Sequence, residues 1–292
     1  MGKTAHTVAI FLLGSTVLLT AAAIGVRGFT YYILPLKERP FHLLHDQLKP
    51  GGFTGHGLGV VGTLLISTGV LLYSGRKRIR RFAQLGRVKY FLEFHIFLCS
   101  LGPVLVLYHT SFKIGGLVAV AFWSMMAVAA SGLIGRYFYV QVPRGIQGHE
   151  LSVSELQEEH TQLGQRLMEG NLLSDADLIL IDRLATPPRQ PSRMSLGETL
   201  RFFIANDLTR RRRVHQLFIH FARRGVPAAA VRHLRTTANR RIVMARRIAF
   251  LEQVHRVFHY WHVIHLPFSI IMFLILGVHI GVAITFGYVW PW

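Results

Sequence analysis

Residues 90–109 read YFLEFHIFLCSLGPVLVLYH, and residues 265–279 read HLPFSIIMFLILGVH. Both stretches lie in apolar runs long enough to cross a bilayer core, which takes about 20 such residues. Each holds one histidine pair spaced by 14 positions, His95 with His109 and His265 with His279. On an α-helix that spacing amounts to about 21 Å of rise and only about 40° of drift. Each pair therefore shares one helix face, with its members near opposite sides of a membrane.

Working outward, three more apolar runs complete a set of five: span 1 over 8–34, span 2 over 57–73, span 3 over 90–109, span 4 over 116–140 and span 5 over 264–289. The 292 residues are 51% hydrophobic and yet carry a formal charge of +19. The two facts are compatible because the charge collects between residues 76 and 89 and between 144 and 256, outside the apolar runs. A soluble nucleic-acid binder is disfavoured by that layout. The fold predicted is all-α: a polytopic bundle of five transmembrane helices, with a helical cytoplasmic insert between helices 4 and 5. In domains, 1–140 holds spans 1 to 4, 141–258 the basic insert and 259–292 span 5. Lys3 before an apolar core, followed by Ala21-Ala22-Ala23, has the outline of a signal peptide; the segment is read instead as a retained first span.

Orientation follows from the cytoplasmic bias of Lys and Arg. Arg76, Lys77, Arg78, Arg80, Arg81, Arg87 and Lys89 follow span 2, and the insert is richer still, whereas the opposite connections hold Lys37, Arg39, Lys49 and Lys113, with Arg27 near the outer end of span 1. The N-terminus and the insert are then cytoplasmic and the C-terminus outside. Trp290, Trp292, Tyr31 and Tyr32 fall at the outer interface, Tyr137 and Tyr139 at the inner one. Spans 3 and 5 run parallel under this threading, so His95 would meet His265 on the cytoplasmic side and His109 would meet His279 on the outer side.

Cys99 is the single cysteine. It rules out an intramolecular disulfide, a Cys-x-x-Cys-His haem attachment and an all-cysteine cluster, so a bound metal would rest on histidine. Two imidazoles filling both axial positions of a haem b iron favour electron transfer over ligand binding, and an apolar macrocycle suits the space between helices. The metal and cofactor ligands expected are therefore His95, His265, His109 and His279, holding two haems b. Within the cluster His259, His262 and His265, His265 is preferred because the 17 residues from His262 to His279 rotate the two about 100° apart.

Paired histidines 14 apart on two parallel helices resemble the di-haem arrangement of the cytochrome b superfamily, and their place on spans 3 and 5 is similar to the ferric-reductase-like transmembrane domain. The phrase from His259 through Tyr260, Trp261, His262, Val263, Ile264, His265, Leu266 and Pro267 to Phe268 resembles bacterial respiratory b-type cytochromes. The resemblance covers spans 2 to 5, and it implies the ligand role for the four histidines. Unlike ferric reductases and NADPH oxidases, this sequence offers no flavin or nicotinamide domain. The one dinucleotide-like string, from Gly57 through Gly59 to Gly62, lies inside span 2 without a preceding strand and is read as helix-packing glycine.

Around the stations, Gly102 lies midway between His95 and His109, and Gly132 and Gly135 approach the inner layer, where missing side chains would leave room for a macrocycle. Arg87 and Arg136 inside and Lys113 outside are candidate partners for haem propionates, with positive-inside topology as the alternative explanation. Glu93 is an acid within an apolar span and is expected to pair with Arg87 or Lys89 rather than to relay protons. His42, His45 and His56 could serve a third haem or an outer quinol site, but their irregular spacing makes ordinary surface histidines the expectation. Pro103 is expected to kink span 3, and Pro267 to sit in the first turn of span 5.

In the insert, Ser152 with Glu155 and Ser195 with Glu198 form capping boxes, and Pro227 suits a helix start. Leu196, Leu200, Phe203, Ile204 and Leu208, then Val214, Leu217, Phe218 and Phe221, recur at helical spacing and predict a packed core. Residues 186–191 read TPPRQP and suit a linker between an acidic half and an Arg-rich half. Part of the charge is expected to pair internally. The surplus around Arg210 to Arg213 suits anionic lipid, an acidic redox subunit or, without any supporting motif, nucleic acid.

These readings predict the di-haem b-type cytochrome subunit of a membrane oxidoreductase complex, in a bacterial cytoplasmic membrane. It would carry electrons between a quinone pool and a peripheral redox subunit, as part of a hetero-oligomer rather than as a complete enzyme. The alternative is a haem-free membrane anchor or transporter whose histidines bind metal or protons.

Overall fold

The computed structural model describes residues 3–82, 85–86, 88–116, 118–141, 152–168, 175–184, 194–223 and 227–286. Expectations for Arg87, the 186–191 linker, Trp290 and Trp292 lie outside the described residues. Among the described residues the chain is helical, with no strand, and divides into two compact units: Met1–Ile134 together with Val263–Trp292, and Gly135–His262.

The first unit opens with α1 (Lys3–Arg27), followed by the single turn α2 (Phe29–Tyr32), a 3-10 turn at Arg39–Phe41, and α3 (His45–Leu48). Then come α4 (Phe53–Arg78), α5 (Val88–His109) and the start of α6 (Val118–Gln141). The last helix, α10 (Ala228–Thr285), supplies the remainder. By length and composition α1, α4, α5, α6 and α10 can each cross a membrane, as the five apolar runs predict. Many of their large apolar side chains face outward, Phe11 and Leu71 among them, as a hydrocarbon solvent requires.

Two boundaries differ from the hydropathy reading. Span 1 ends at Arg27, because Gly28 breaks the helix and the chain turns back through Phe29–Tyr32. Span 5 is the end of a 58-residue helix beginning at Ala228, so Pro267 lies inside a helix and not in a first turn. Hydropathy locates the apolar part of a helix and is blind to a polar part continuing it. Residues 228–262 stay helical with only part of their surface buried: Leu234, Ala238, Ile242, Phe250 and Val254 pack in two cores, and Met244 packs in a third against Leu156 and Leu163.

Glycine draws α4 and α5 together. A Cβ on Gly62 would meet the Gly102 carbonyl oxygen at 2.9 Å, and one on Gly102 would meet Ile66 at 2.5 Å and the Gly62 carbonyl oxygen at 2.8 Å. The helices approach at backbone distance because side chains are missing at these crossings, the small-residue packing expected of the Gly57–Gly62 string. Beyond α5 the chain reverses through Ser111 and Phe112, both with left-handed φ. Arg39, 7% exposed, anchors this connection by donating to the carbonyls of Leu34, Tyr32 and Ser111, with its guanidinium over the Tyr31 ring.

The second unit contains α7 (Val153–Met168), α8 (Asp175–Arg183), α9 (Leu196–Arg223) and the first part of α10. Both capping boxes form: the Ser152 and Ser195 backbone N–H groups donate to Glu155 and Glu198, whose own N–H groups donate back to the serine hydroxyls. Leu167, Ile181, Val214, Phe218, Leu234, Ala238 and Ile242 make one core, and Phe203, Phe250 and Val254 another. The inward stripe of α9 runs through Thr199, Phe203, Asn206, Val214 and Phe218. Ile204 and Leu208, expected inside, are exposed. Polar Asn206 takes a core position because its amide donates to the Leu184 carbonyl.

Acidic and basic halves do pair. Asp182 receives two hydrogen bonds from Arg241, at 2.9 and 2.8 Å, and one of 3.3 Å from His160. Arg241 also donates to the His160 carbonyl, and Arg246 donates to Asp207 at 2.6 Å while lying over the Phe203 ring.

Candidate functional site

The four histidines singled out from the sequence all fall in the first unit, and three of them share one local geometry. Nδ1 of His95 lies 3.0 Å from the Gly69 carbonyl oxygen, and Nδ1 of His109 lies 2.8 Å from the Gly55 carbonyl oxygen. A carbonyl oxygen can only accept, so Nδ1 carries the hydrogen in both rings and Nε2 carries the lone pair. The acceptors are spaced by 14 residues on α4, as the histidines are on α5. Nδ1 of His265 lies 2.7 Å from the Ser131 hydroxyl, which itself donates to the Val128 carbonyl. With its hydrogen directed at Val128, that hydroxyl accepts from His265, which then holds the same tautomer.

His95 and His265 line one cavity, walled by apolar side chains that include Ile66, Met125 and Met272. The cavity volume there is about 50 Å³. Gly132 belongs to the same wall, and a Cβ on it would stand 3.8 Å from the His265 ring. Cys99 also lines it, with Sγ 3.6 Å from the His95 Nδ1. Of the neighbouring histidines, His262 bonds the Phe258 carbonyl of its own helix, and His259 is exposed.

At the other end of α5, His109 and His279 lie within electrostatic reach of each other and of His56. The His56 and His109 rings are 6.4 Å apart. His56 is thus a member of the outer cluster, which sequence reasoning had set aside as a surface histidine. The usable signal was its place on the glycine-rich face of span 2, beside Gly55 and Gly59. His42 and His45 pack instead on the buried ring of Tyr31, whose hydroxyl is 3.3 Å from His45.

The remaining candidates separate. Gly102 faces α4, and the room left by its missing side chain is taken by Ile66. Gly135, in the second unit, is packed against Trp261. Arg136 belongs to the second unit, where its guanidinium lies over the Tyr139 ring, and Lys113 is exposed just beyond α5. Glu93 pairs with Lys89 at 3.8 Å and with His6 at 3.3 Å, the latter a partner from α1 that the sequence did not suggest. Among the described residues no cluster of three or more His, Cys, Asp or Glu suits a metal ion held by protein ligands alone. Comparison of the chain with protein-family models, curated proteins and solved structures returned no match.

Proposed function

We propose that the chain is the di-haem b-type cytochrome subunit of a membrane oxidoreductase complex. The observation that carries this reading is the shared tautomer. His95, His109 and His265 each commit Nδ1–H to an oxygen acceptor, which orients the ring, raises its basicity and leaves Nε2 as the coordinating nitrogen. A structural histidine satisfied by one carbonyl needs no such repetition at a 14-residue interval on α5, with a third ring held in the same way on α10.

The donor set present fits the group. At the inner station His95 and His265 offer two imidazoles to one apolar cavity, with Gly132 contributing no side chain to the wall. At the outer station His109 and His279 are the corresponding pair, with His56 beside them. Haem b bound at each station would supply reversible one-electron iron chemistry. His95 with His265 and His109 with His279 would hold the two groups, and Met125, Met272 and Ile66 would keep water from the inner one.

In this reading the chain is integral to a bacterial cytoplasmic membrane, with the N-terminus and the Arg-rich insert in the cytoplasm. It passes electrons between a quinone pool and a peripheral redox subunit bound as part of a hetero-oligomer. Redox difference spectra of the purified chain test it. Two b-type haems per chain are expected, and His95→Ala or His265→Ala should remove one and spare the other. Absence of a b-type signal would favour a haem-free anchor or transporter instead, and a single haem per chain would overturn the two-station reading.

A further inference from the structure

A groove of about 450 Å³ opens between α1 and α5, close to the C-terminal ends of both helices. Ala21, Ala22 and Gly25 of α1 make one wall, and the rings of Tyr32, Tyr108 and Phe112 make another. None of the four histidines of the two stations lines it. Its volume falls in the range of small-molecule sites.

Packing explains the hollow. The small residues at 21, 22 and 25 fall within about 100° of arc on α1. A Cβ on Gly25 would stand 2.8 Å from the Tyr108 hydroxyl, which donates to the Ala21 carbonyl at 2.9 Å. That bond joins the helices across small residues and leaves space where longer side chains would interdigitate. Opposite them the three rings stand tilted or edge to face, Tyr32 being 5.3 Å from Tyr108 and 5.4 Å from Phe112, with Tyr108 and Phe112 5.5 Å apart. Phe112 reaches this place at a left-handed φ of 59°, which a bulky residue adopts only where its surroundings impose it.

Two features specify an occupant. A wall of aromatic rings facing a wall of small residues suits a flat ring better than a flexible acyl chain. The Tyr32 hydroxyl, a donor, is buried without a hydrogen-bond partner among the described residues, a deficit that a carbonyl on the ligand would end. Val26, at the rim and 78% exposed, offers an apolar path for a tail. We infer that this groove binds the head group of a membrane quinone, with the Tyr32 hydroxyl donating to a ring carbonyl. Tyr108 precedes the proposed ligand His109 by one residue, about 100° around the helix, so the head group lies beside the outer station. The inference rests on the proposed exchange of electrons with a quinone pool, and it gives that exchange a place.

The test uses the full chain in phosphatidylcholine nanodiscs, photolabelled with an azido-ubiquinone carrying a decyl tail, with decylubiquinone as competitor. Label should fall on peptides holding residues 21–32 or 108–112 and be displaced by the competitor. Ala22→Trp, which fills the groove from an exposed position, should cut the displaceable label severalfold. Leu12→Trp, elsewhere on α1 and 58% exposed, should not. Tyr32→Phe should raise the competitor concentration required by about 2–10-fold, the usual worth of one hydrogen bond. Label elsewhere would overturn the inference, as would displacement indifferent to Ala22→Trp or to Tyr32→Phe. So would groove label that decylubiquinone fails to displace, the result expected of a groove filled by phospholipid. Haem counts on the same samples separate the two readings. Two haems without displaceable label sink the groove alone, whereas displaceable label on a haem-free chain upholds the groove and sinks the electron-transfer reading.

Discussion

Gly59 lies flat against the imidazole of His109: a Cβ placed on it would stand 2.7 Å from Nδ1. The ring has no easy retreat, since the same Nδ1 is bonded to Gly55 one turn earlier on α4. Gly59→Ala should therefore displace His109 and remove the outer haem signal while leaving the inner one. Gly14→Ala supplies the contrast, because a Cβ there would meet nothing within 4 Å. Difference spectra with one haem for the first variant and two for the second are expected; two haems in both would refute the role given to Gly59.

Ser131 fixes the ring of His265 without being one of the proposed ligands. Ser131→Ala removes the acceptor of Nδ1–H, and loss of such an outer partner typically weakens metal binding about 10–100-fold. The inner haem should be retained at reduced occupancy with a shifted midpoint potential, and the outer one unchanged. A redox titration superimposable on that of the wild type would sink this assignment.

The α4–α5 crossing tolerates no bulk. Gly102→Leu or Gly62→Leu must push the helices apart, and overpacking of this kind typically destabilises by about 1–3 kcal/mol. Thermal unfolding in detergent should shift downward for both, and both stations should be disturbed, since each His–Gly bond bridges these two helices. Unchanged melting would mean that α4 and α5 separate more readily than their packing suggests.

Asp182 sets the acid limit of the second unit. Burial pushes its carboxyl up, but hydrogen bonds from His160 and Arg241 and the charge of Arg241 outweigh that and hold it below the ordinary value. A depressed folded pKa contributes stability that is present above the unfolded pKa and lost as pH falls through the folded one. The unit should therefore lose stability below about pH 4, near the ordinary aspartate value. Asp182→Asn should remove that acid transition. It leaves Arg241 buried without its charge partner, which in fully buried pairs destabilises by about 3–5 kcal/mol and by less here, where Asp182 is one-third exposed. Circular dichroism of wild type and variant between pH 3 and 7 decides the matter; identical acid profiles would contradict it.

How far the sequence could be read depended on the kind of interaction involved. Apolar runs and the capping boxes at Ser152 and Ser195 are local signals, and the helices they predict are present. The 14-residue spacing of His95 and His109 is local too, since it follows from helix pitch. The extent of α10 was not legible, because a helix that changes from a partly buried, mixed surface to an all-apolar one presents two patterns to any window. The exposure of Ile204 and Leu208 was equally hidden: a period of 3.6 marks a face without saying which of two apolar faces turns inward.

By itself, then, the sequence determined that this chain is helical, that five of its helices are apolar enough to cross a membrane, and that its histidines recur at fixed intervals. Those properties depend on hydropathy and helix geometry, which need only neighbouring residues. The tertiary structure alone decided which groups meet: Gly69 and Gly55 with His95 and His109, Ser131 with His265, His56 with the outer pair, His6 with Glu93. These contacts join residues far apart in the chain, and the first two exist because glycine on α4 lets two backbones approach until a ring nitrogen on one helix reaches a carbonyl oxygen on the other.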